Sequence, residues 1–283
     1  MTTIRNILRD YRTRPVKRLG QSFLEDKNCI EKIVRIADIR DDQVVVEIGA
    51  GVGLMTAAMA KKARRVIALD IDPRMVAILK ERMASYANVE IVLADVLEYD
   101  FSAAAREADS GKIKVVGNIP YNISSQILFS LLSYRDCISS MILMFQKELA
   151  DRLVATPGTK AYGVPSALVS MYLVSSREMT VPRTCFYPRP DISSSVLKMT
   201  VLEKPLIDLT DDDFFFKLVK MVFGKRRKTV LNNLKSLQTS GSRDTDILQA
   251  LEAAGIEGKR RGETLSAAEL GRLANAFCSI KMA

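Results

Sequence analysis

An α/β fold, a Rossmann-like sheet followed by a small all-helical C-terminal domain, is predicted by three features of the 283-residue chain. A buried-strand run, Gln43-Val44-Val45-Val46-Glu47-Ile48, passes directly into a glycine-rich turn, Gly49-Ala50-Gly51-Val52-Gly53-Leu54, and then into a helix. Two later strand runs each lead to a carboxylate, Asp70 and Asp95. Beyond Glu203-Lys204-Pro205 the pattern changes to helices alone. Open sheets of this kind bind ligands at the carboxyl ends of their strands. The expected division is a basic arm over 1–16, a sheet domain over 17–203 and a helical domain over 204–283.

Taken in order, the first twenty residues carry six basic and one acidic side chain, an excess of five positive charges. Lys17-Arg18-Leu19-Gly20-Gln21-Ser22-Phe23-Leu24 joins this arm to an amphipathic helix with Ile30, Ile33, Val34 and Ala37 on one face. The glycine turn after Ile48 lets backbone approach a ligand closely. A dinucleotide fingerprint needs Gly-x-Gly-x-x-Gly, and here the sixth position is Leu54, so the spacing suits a nucleoside over the turn better than hydride transfer. The second strand, Arg65 to Asp70, ends 21 residues after Gly49, about the distance at which an acidic residue reaches a ribose diol. A helix follows from Asp72-Pro73 through Met83. A third strand, Val89 to Leu93, leads to Asp95, placed to accept from an adenine amino group.

The chemistry is expected at Gly117-Asn118-Ile119-Pro120-Tyr121-Asn122-Ile123-Ser124. This stretch follows the strand Lys114-Val115-Val116 and precedes a helix with Ile127, Leu128, Leu131 and Leu132 on one face and Ser124 as its cap. The side-chain amide of Asn118 and a nearby carbonyl can accept both hydrogens of an exocyclic amine. Pro120 removes a competing donor, and Tyr121 offers a flat face to a planar base.

Met141 to Phe145 reads as another buried strand, followed by the polar Gln146-Lys147-Glu148. Lys160 to Gly163 is a loop signal before an alternating segment, Val164 to Val174. Phe186-Tyr187-Pro188-Arg189-Pro190 combines aromatic, rigid and basic residues suited to stacking a base beside phosphate. Ser193 to Met199 closes the sheet. The helices expected beyond it span Asp211–Phe223, Lys228–Leu237, Asp244–Ala254 and Ser266–Cys278.

Composition narrows the chemistry. The formal charge is +9, concentrated at the two ends, which suggests a catalytic body whose flanks hold a polyanion such as nucleic acid. Histidine is absent, which excludes Ser-His-Asp and Cys-His catalysis. The four cysteines, Cys29, Cys137, Cys185 and Cys278, are scattered without a Cys-x-x-Cys, so neither a metal site nor a disulfide framework is indicated. With no apolar run of membrane-spanning length and no signal-peptide core, a soluble, unprocessed cytoplasmic protein is expected.

These motifs together resemble the ribosomal small-subunit RNA adenine dimethyltransferases, S-adenosylmethionine-dependent enzymes, from about Lys17 to Lys235. The matching stretches are Lys-Arg-Leu-Gly-Gln-Ser-Phe-Leu at 17–24, Glu-Ile-Gly-Ala-Gly at 47–51, Asn-Ile-Pro-Tyr-Asn-Ile-Ser at 118–124 and Gln-Lys-Glu at 146–148. Phe-Tyr-Pro-Arg-Pro at 186–190 and Phe-Gly-Lys-Arg-Arg-Lys-Thr at 223–229 match as well.

The resemblance implies a Rossmann-like methyltransferase sheet with S-adenosyl-L-methionine as methyl donor and no metal. It puts cofactor contacts at Ser22, Leu24, Gly49, Gly51, Asp70, Asp95 and Asn118, and catalysis at Asn118 with Tyr121 and Phe186 sandwiching the base. RNA contacts fall at Lys17, Arg18, Arg189, Lys225, Arg226, Arg227 and Lys228. The family commonly has Asn where Ser22 stands, and many members have Glu at Asp70, which leaves the ribose geometry open.

The implied partner is small-subunit ribosomal RNA within the assembling subunit, met by a monomer. Amine methyltransferases with an Asn-Pro-Pro-Tyr-like motif are disfavoured by Ile119. The macrolide-resistance dimethylases of large-subunit RNA share Asn-Ile-Pro-Tyr, but residues 186–190 and 224–229 favour the small-subunit branch. A non-catalytic assembly factor that kept the fold is disfavoured by intact Asn118, Tyr121, Asp70 and Asp95.

Overall fold

The computed structural model describes residues 3–235 and 244–282, arranged as two compact units. One comprises residues 1–150 and 176–201; the other takes residues 151–175 and 202–283. The second unit thus draws on a stretch that sequence reasoning assigned to the sheet domain ending at 203. The reason is local: Val164 to Val174 is mostly helix rather than an alternating segment. Val164–Tyr172 is helical, with a proline in its first turn, and Ala167, Leu168, Val169, Met171 and Tyr172 are all buried. An apolar run covered on nearly every side leaves no readable period.

The first unit holds a seven-stranded sheet and a two-stranded ribbon. The ribbon is formed by β1 (Phe23–Leu24) and β8 (Phe186–Tyr187), paired antiparallel as Phe23 with Tyr187 and Leu24 with Phe186. The sheet contains β2 (Val44–Ile48), β3 (Arg65–Asp70), β4 (Val89–Leu93), β5 (Ile113–Gly117), β6 (Ile138–Gln146), β7 (Leu173–Val181) and β9 (Ser194–Val201). Its order is β4-β3-β2-β5-β6-β9-β7. From β2 the chain steps outward through β3 to β4, then returns to the other side at β5, so the order reverses between β2 and β5. A reversal of this kind opens a crevice above the carboxyl ends of the two strands. Ile48 pairs with Gly117, and the residues that follow each, Gly49 and Asn118, therefore enter the crevice side by side.

Helices pack around this frame. In α2 (Lys27–Ile36), Asp26 accepts from the Cys29 backbone at 2.8 Å and caps the helix, while Ile30, Ile33 and Val34 are buried. Leu54–Ala60 forms α3 after the glycine turn, and α4 (Pro73–Arg82) starts at the expected Asp72-Pro73 signal. The helix after Tyr121, α6 (Ser124–Ser133), differs in one detail. Ser124 is its first helical residue, not its cap, and its hydroxyl donates to the Tyr121 carbonyl at 3.1 Å.

The expected basic arm is also different in kind. Ile4–Asp10 is a helix, α1, whose residues Ile4, Ile7 and Leu8 cluster with Val52, Met75 and Ile78, beside Phe23 and Tyr187. Arginine is the commonest residue over 1–16, yet within Ile4–Asp10 three apolar residues outnumber two arginines, and this i, i+3, i+4 set is what places the helix.

In the second unit, α9 (Asp212–Val222), α10 (Val230–Lys235), α11 (Asp244–Ala253) and α12 (Ala267–Met282) follow the helical pattern read from sequence. Residues 236 and 237, the expected end of α10, lie outside the described residues. Among the described residues, no helix is long and apolar enough to cross a membrane.

Candidate active site

The crevice above β2 and β5 is a cavity of about 730 Å³ open to solvent. Its walls include Gly49, Asp70, Asp95, Asn118 and Tyr121 from the strand ends, with Leu19 to Phe23 opposite. Gly49 has φ +72°, and a Cβ there would stand 3.3 Å from the Asn118 carbonyl oxygen, so both the turn and the close approach of the two loops call for glycine.

Asp70, at the end of β3, is only 8% exposed. One carboxylate oxygen accepts from the Gly51 N–H at 2.8 Å and the other from the Asp72 N–H at 2.9 Å. The acid that sequence spacing aimed at a ribose diol is thus also the clasp of the glycine turn. Burial pushes its carboxyl above the usual range, against the pull of those two backbone bonds. Asp95 is half-buried and accepts from the Leu97 N–H at 2.9 Å, which orients its carboxylate at the cavity wall.

Asn118 is held by a single bond that settles its polarity. Its Nδ2 donates to the Ser22 carbonyl at 2.7 Å, leaving Oδ1 as the acceptor. Tyr121 is anchored at its far end, where its hydroxyl and Ser194 Oγ are 2.5 Å apart. Burial raises the Tyr121 hydroxyl above its ordinary value while the Ser194 bond lowers it, so the ring is a neutral phenol at neutral pH.

Four expected site residues sit differently. Phe186 is a core side chain, 1% exposed, clustered with Ile142, Met144, Val181 and Val196; it does not line the cavity and forms no sandwich with Tyr121. Ladder pairing with Leu24 turns it inward. Leu24 is likewise buried and borders a smaller neighbouring cavity of about 340 Å³ together with Glu47, Gly49 and Asn118. Ser22 lines the main cavity, but its hydroxyl donates to the Pro188 carbonyl at 2.9 Å. Gly51 acts from behind: a Cβ there would fall 2.8 Å from the Phe23 ring.

Several contributing residues escaped sequence reasoning. Gln21 lines the cavity and bridges Val16 N–H, at 2.8 Å, to the buried Asp72, also at 2.8 Å. The Arg74 guanidinium beside Asp72 holds that carboxyl below the usual range. Glu47 is buried against Thr56 Oγ1 at 2.5 Å, and burial raises its carboxyl to about 8. Ser194 follows Ser193 in a run read only as strand. Gln21 with Asp72 and Tyr121 with Ser194 are remote in sequence and gave no signal; for the nearer pair Glu47 with Thr56, the polar residue in an apolar strand was the available one.

The cations fall into two groups. In the first unit, Lys17, Arg18 and Arg189 are exposed, on segments adjoining Leu19 to Ser22 and Pro188. In the second, Lys225, Arg227 and Lys228 are exposed in the turn before α10. Arg226 is committed instead to Glu263 at 2.7 Å and the Lys160 carbonyl at 2.5 Å. A bridge between Thr229 and Arg261 brings exposed Lys259 and Arg261 beside this turn, an addition invisible to a local reading. The cysteines hold a further surprise: Cys29 and Cys185, which sequence spacing left unpaired, have their sulfurs 3.7 Å apart.

Comparison with known proteins adds a second line. The family model described as ribosomal RNA adenine dimethylase matches residues 13–273. A protein of Syntrophus aciditrophicus named ribosomal RNA small subunit methyltransferase A is 48% identical over 277 residues, covering 98% of this chain and 99% of that one. The protein of the same name from Bacillus pumilus is 40% identical, covering 96% and 94%. Among solved structures, a dimethyladenosine transferase from Plasmodium falciparum superposes with a TM-score of 0.76 at 28% identity, covering 89% and 95%. The 23S rRNA methyltransferase ErmE gives 0.70 at 25%, covering 90% and 99%.

Proposed function

The chain belongs to the ribosomal RNA adenine dimethylase family and is an S-adenosylmethionine-dependent methyltransferase of ribosomal RNA adenine, and from this premise we propose that it dimethylates N6 of two adjacent adenosines in a hairpin loop of small-subunit RNA. The step falls late in assembly of that subunit, and the enzyme acts as a monomer. The small-subunit assignment is supported by relatives of that name at 40–48% identity over nearly the whole chain, against 25% for the large-subunit enzyme.

The single observation that carries the chemistry is the fixed amide of Asn118. S-adenosylmethionine supplies an electrophilic methyl group on a sulfonium centre. Adenine N6 is a poor nucleophile because its lone pair is delocalised into the ring. With Nδ2 tied to Ser22, the Oδ1 of Asn118 accepts one N6 hydrogen. A backbone carbonyl in the Asn118–Pro120 turn takes the other. Two acceptors favour a pyramidal nitrogen and aim its lone pair at the methyl group, a gain of alignment rather than of acid–base force. The cation formed on nitrogen loses its proton to water, consistent with a site that has no histidine.

Tyr121 gives the flipped base a face to stack on, held by Ser194. Asp70 and Asp95 receive the cofactor's ribose and adenine amine, and Gly49 lets it lie close against the backbone of the turn. Taking a base out of its stack costs a few kcal/mol and least in a loop. Lys17, Arg18 and Arg189, together with Lys225, Arg227, Lys228, Lys259 and Arg261, meet RNA phosphates.

The test is transfer of tritiated methyl groups to naked small-subunit RNA, small subunits and large subunits in parallel, followed by nucleoside analysis. Dimethyladenosine in small-subunit material alone is the expected outcome. Its appearance in large-subunit RNA alone overturns the assignment.

A further inference from the structure

We propose that Asp26, Cys29 and Cys185 form a binding site for a thiophilic divalent cation of the zinc class, one that fastens the β1–β8 ribbon to the start of α2. Asp26 and Cys29 share the start of α2 and Cys185 comes from 156 residues away, yet one oxygen of Asp26 and the two sulfurs all lie within 4.8 Å of one another. The sulfur–sulfur separation is the informative distance. At 3.7 Å it is far longer than a disulfide, and in a tetrahedral site with metal–sulfur bonds of about 2.3 Å two sulfurs stand roughly 3.8 Å apart. The pair already has the spacing that coordination requires.

Two other features favour a cation. All three residues are half-buried, so the site has an approach from solvent. Each is also held by backbone rather than left on a mobile side: Asp26 caps α2 through the Cys29 N–H, and the Cys185 carbonyl accepts from the Glu25 N–H at 2.9 Å. Cys29 and Cys185 are both free thiols. A dication supplies the charge that burial withholds, so binding forms two metal–sulfur bonds and releases both thiol protons to solvent. The ribbon carries Phe23 and Leu24 at one side and Phe186 and Tyr187 at the other, so a cation here ties the cavity's loop wall to the sheet unit's first long helix.

The test uses the full-length reduced protein under anaerobic conditions with cadmium(II) as probe. One equivalent should produce thiolate-to-metal charge-transfer absorption in the near ultraviolet and release two protons. The band should vanish in Cys29→Ser and in Cys185→Ser, weaken in Asp26→Asn, which still caps the helix, and persist in Cys137→Ser and Cys278→Ser. Zinc should raise the melting temperature of wild type and of the last two variants only. S-adenosylmethionine binding serves as the folding control. Should the serine variants not fold, wild type answers alone: zinc should shield Cys29 and Cys185 from alkylation, read by mass spectrometry, without slowing Cys137 or Cys278. No band, a band that survives both serine changes, or alkylation of the pair unaffected by zinc overturns the proposal.

Discussion

The two walls of the cavity are built on different terms. The strand-end wall, Gly49, Asp70, Asp95 and Asn118, follows from strand-to-loop junctions, with Asp95 held by Leu97 two residues on and Asp70 by Asp72 as well as by Gly51. The opposite wall, Leu19 to Phe23, stands where it does because of partners remote in sequence: Asp72 for Gln21, Pro188 for Ser22 and Tyr187 for Phe23. Asn118 joins the two through its bond to the Ser22 carbonyl. Local rules thus position the groups that meet a ligand, and tertiary contacts position the groups that enclose it.

The sharpest way to break this contrast is at Phe186, which belongs to the packed side in this structure. Phe186→Ala should lower stability by about 3–5 kcal/mol in denaturant unfolding, the usual range for an emptied core aromatic. Phe186→Leu, which refills most of the space without a flat face, should keep methyl transfer near wild type. Lost turnover in a stable leucine variant would instead return Phe186 to the base sandwich.

Next in size is the junction residue. Asn118→Ala should cut methyl transfer by about 10²-fold or more at saturating cofactor while RNA affinity stays near normal. Wild-type turnover would remove Asn118 from the mechanism. On the strand-end wall, Asp70→Ala should weaken S-adenosylmethionine binding roughly tenfold to a hundredfold by calorimetry, since charge-assisted contacts and the clasp on Gly51 are lost together. Unchanged affinity in a folded variant would mean the ribose lies elsewhere. Ser194→Ala should have a smaller effect, about 1 kcal/mol, seen as a raised KM for RNA because Tyr121 loses its anchor. Threonine at 194 should restore it.

Glu47 gives the mildest test. Its folded carboxyl is raised to about 8, whereas the unfolded group titrates near its ordinary value of 4.5. Between those values the folded state keeps a proton that the unfolded state has lost, so stability should fall as pH rises through this window and level off above it. Melting temperatures of Glu47→Gln should lack that slope.

What the sequence made legible follows the same division. β2, β3, β4 and the Asp72-Pro73 start of α4 were readable because apolar runs, glycines and caps act over a few residues. Asp70 and Asp95 were readable as strand ends. Phe186 beside proline and arginine reads as a base-stacking aromatic, and the pairing with Leu24 that turns it inward in this structure has no local sequence signal. Val164–Tyr172 misled because an apolar run buried on most sides has no distinctive period. Arg226 could not be separated from its three neighbours until Glu263 was brought to it. The docked helix α1 was hidden by arginine count, although Ile4, Ile7 and Leu8 were there to be spaced out.

The ribbon between β1 and β8 also sets a timetable. On a ribosome delivering roughly 5–20 residues per second, every strand-end group of the cavity has been made once Tyr121 has emerged. Phe23 must wait for Tyr187, and β6 must wait for β9, which enters the sheet beside it after β7 has already been made. Through that interval the Phe23–Tyr187 pair cannot form, because one of its two residues does not yet exist. The last segment to complete the enclosure is therefore one synthesised long after the groups it encloses.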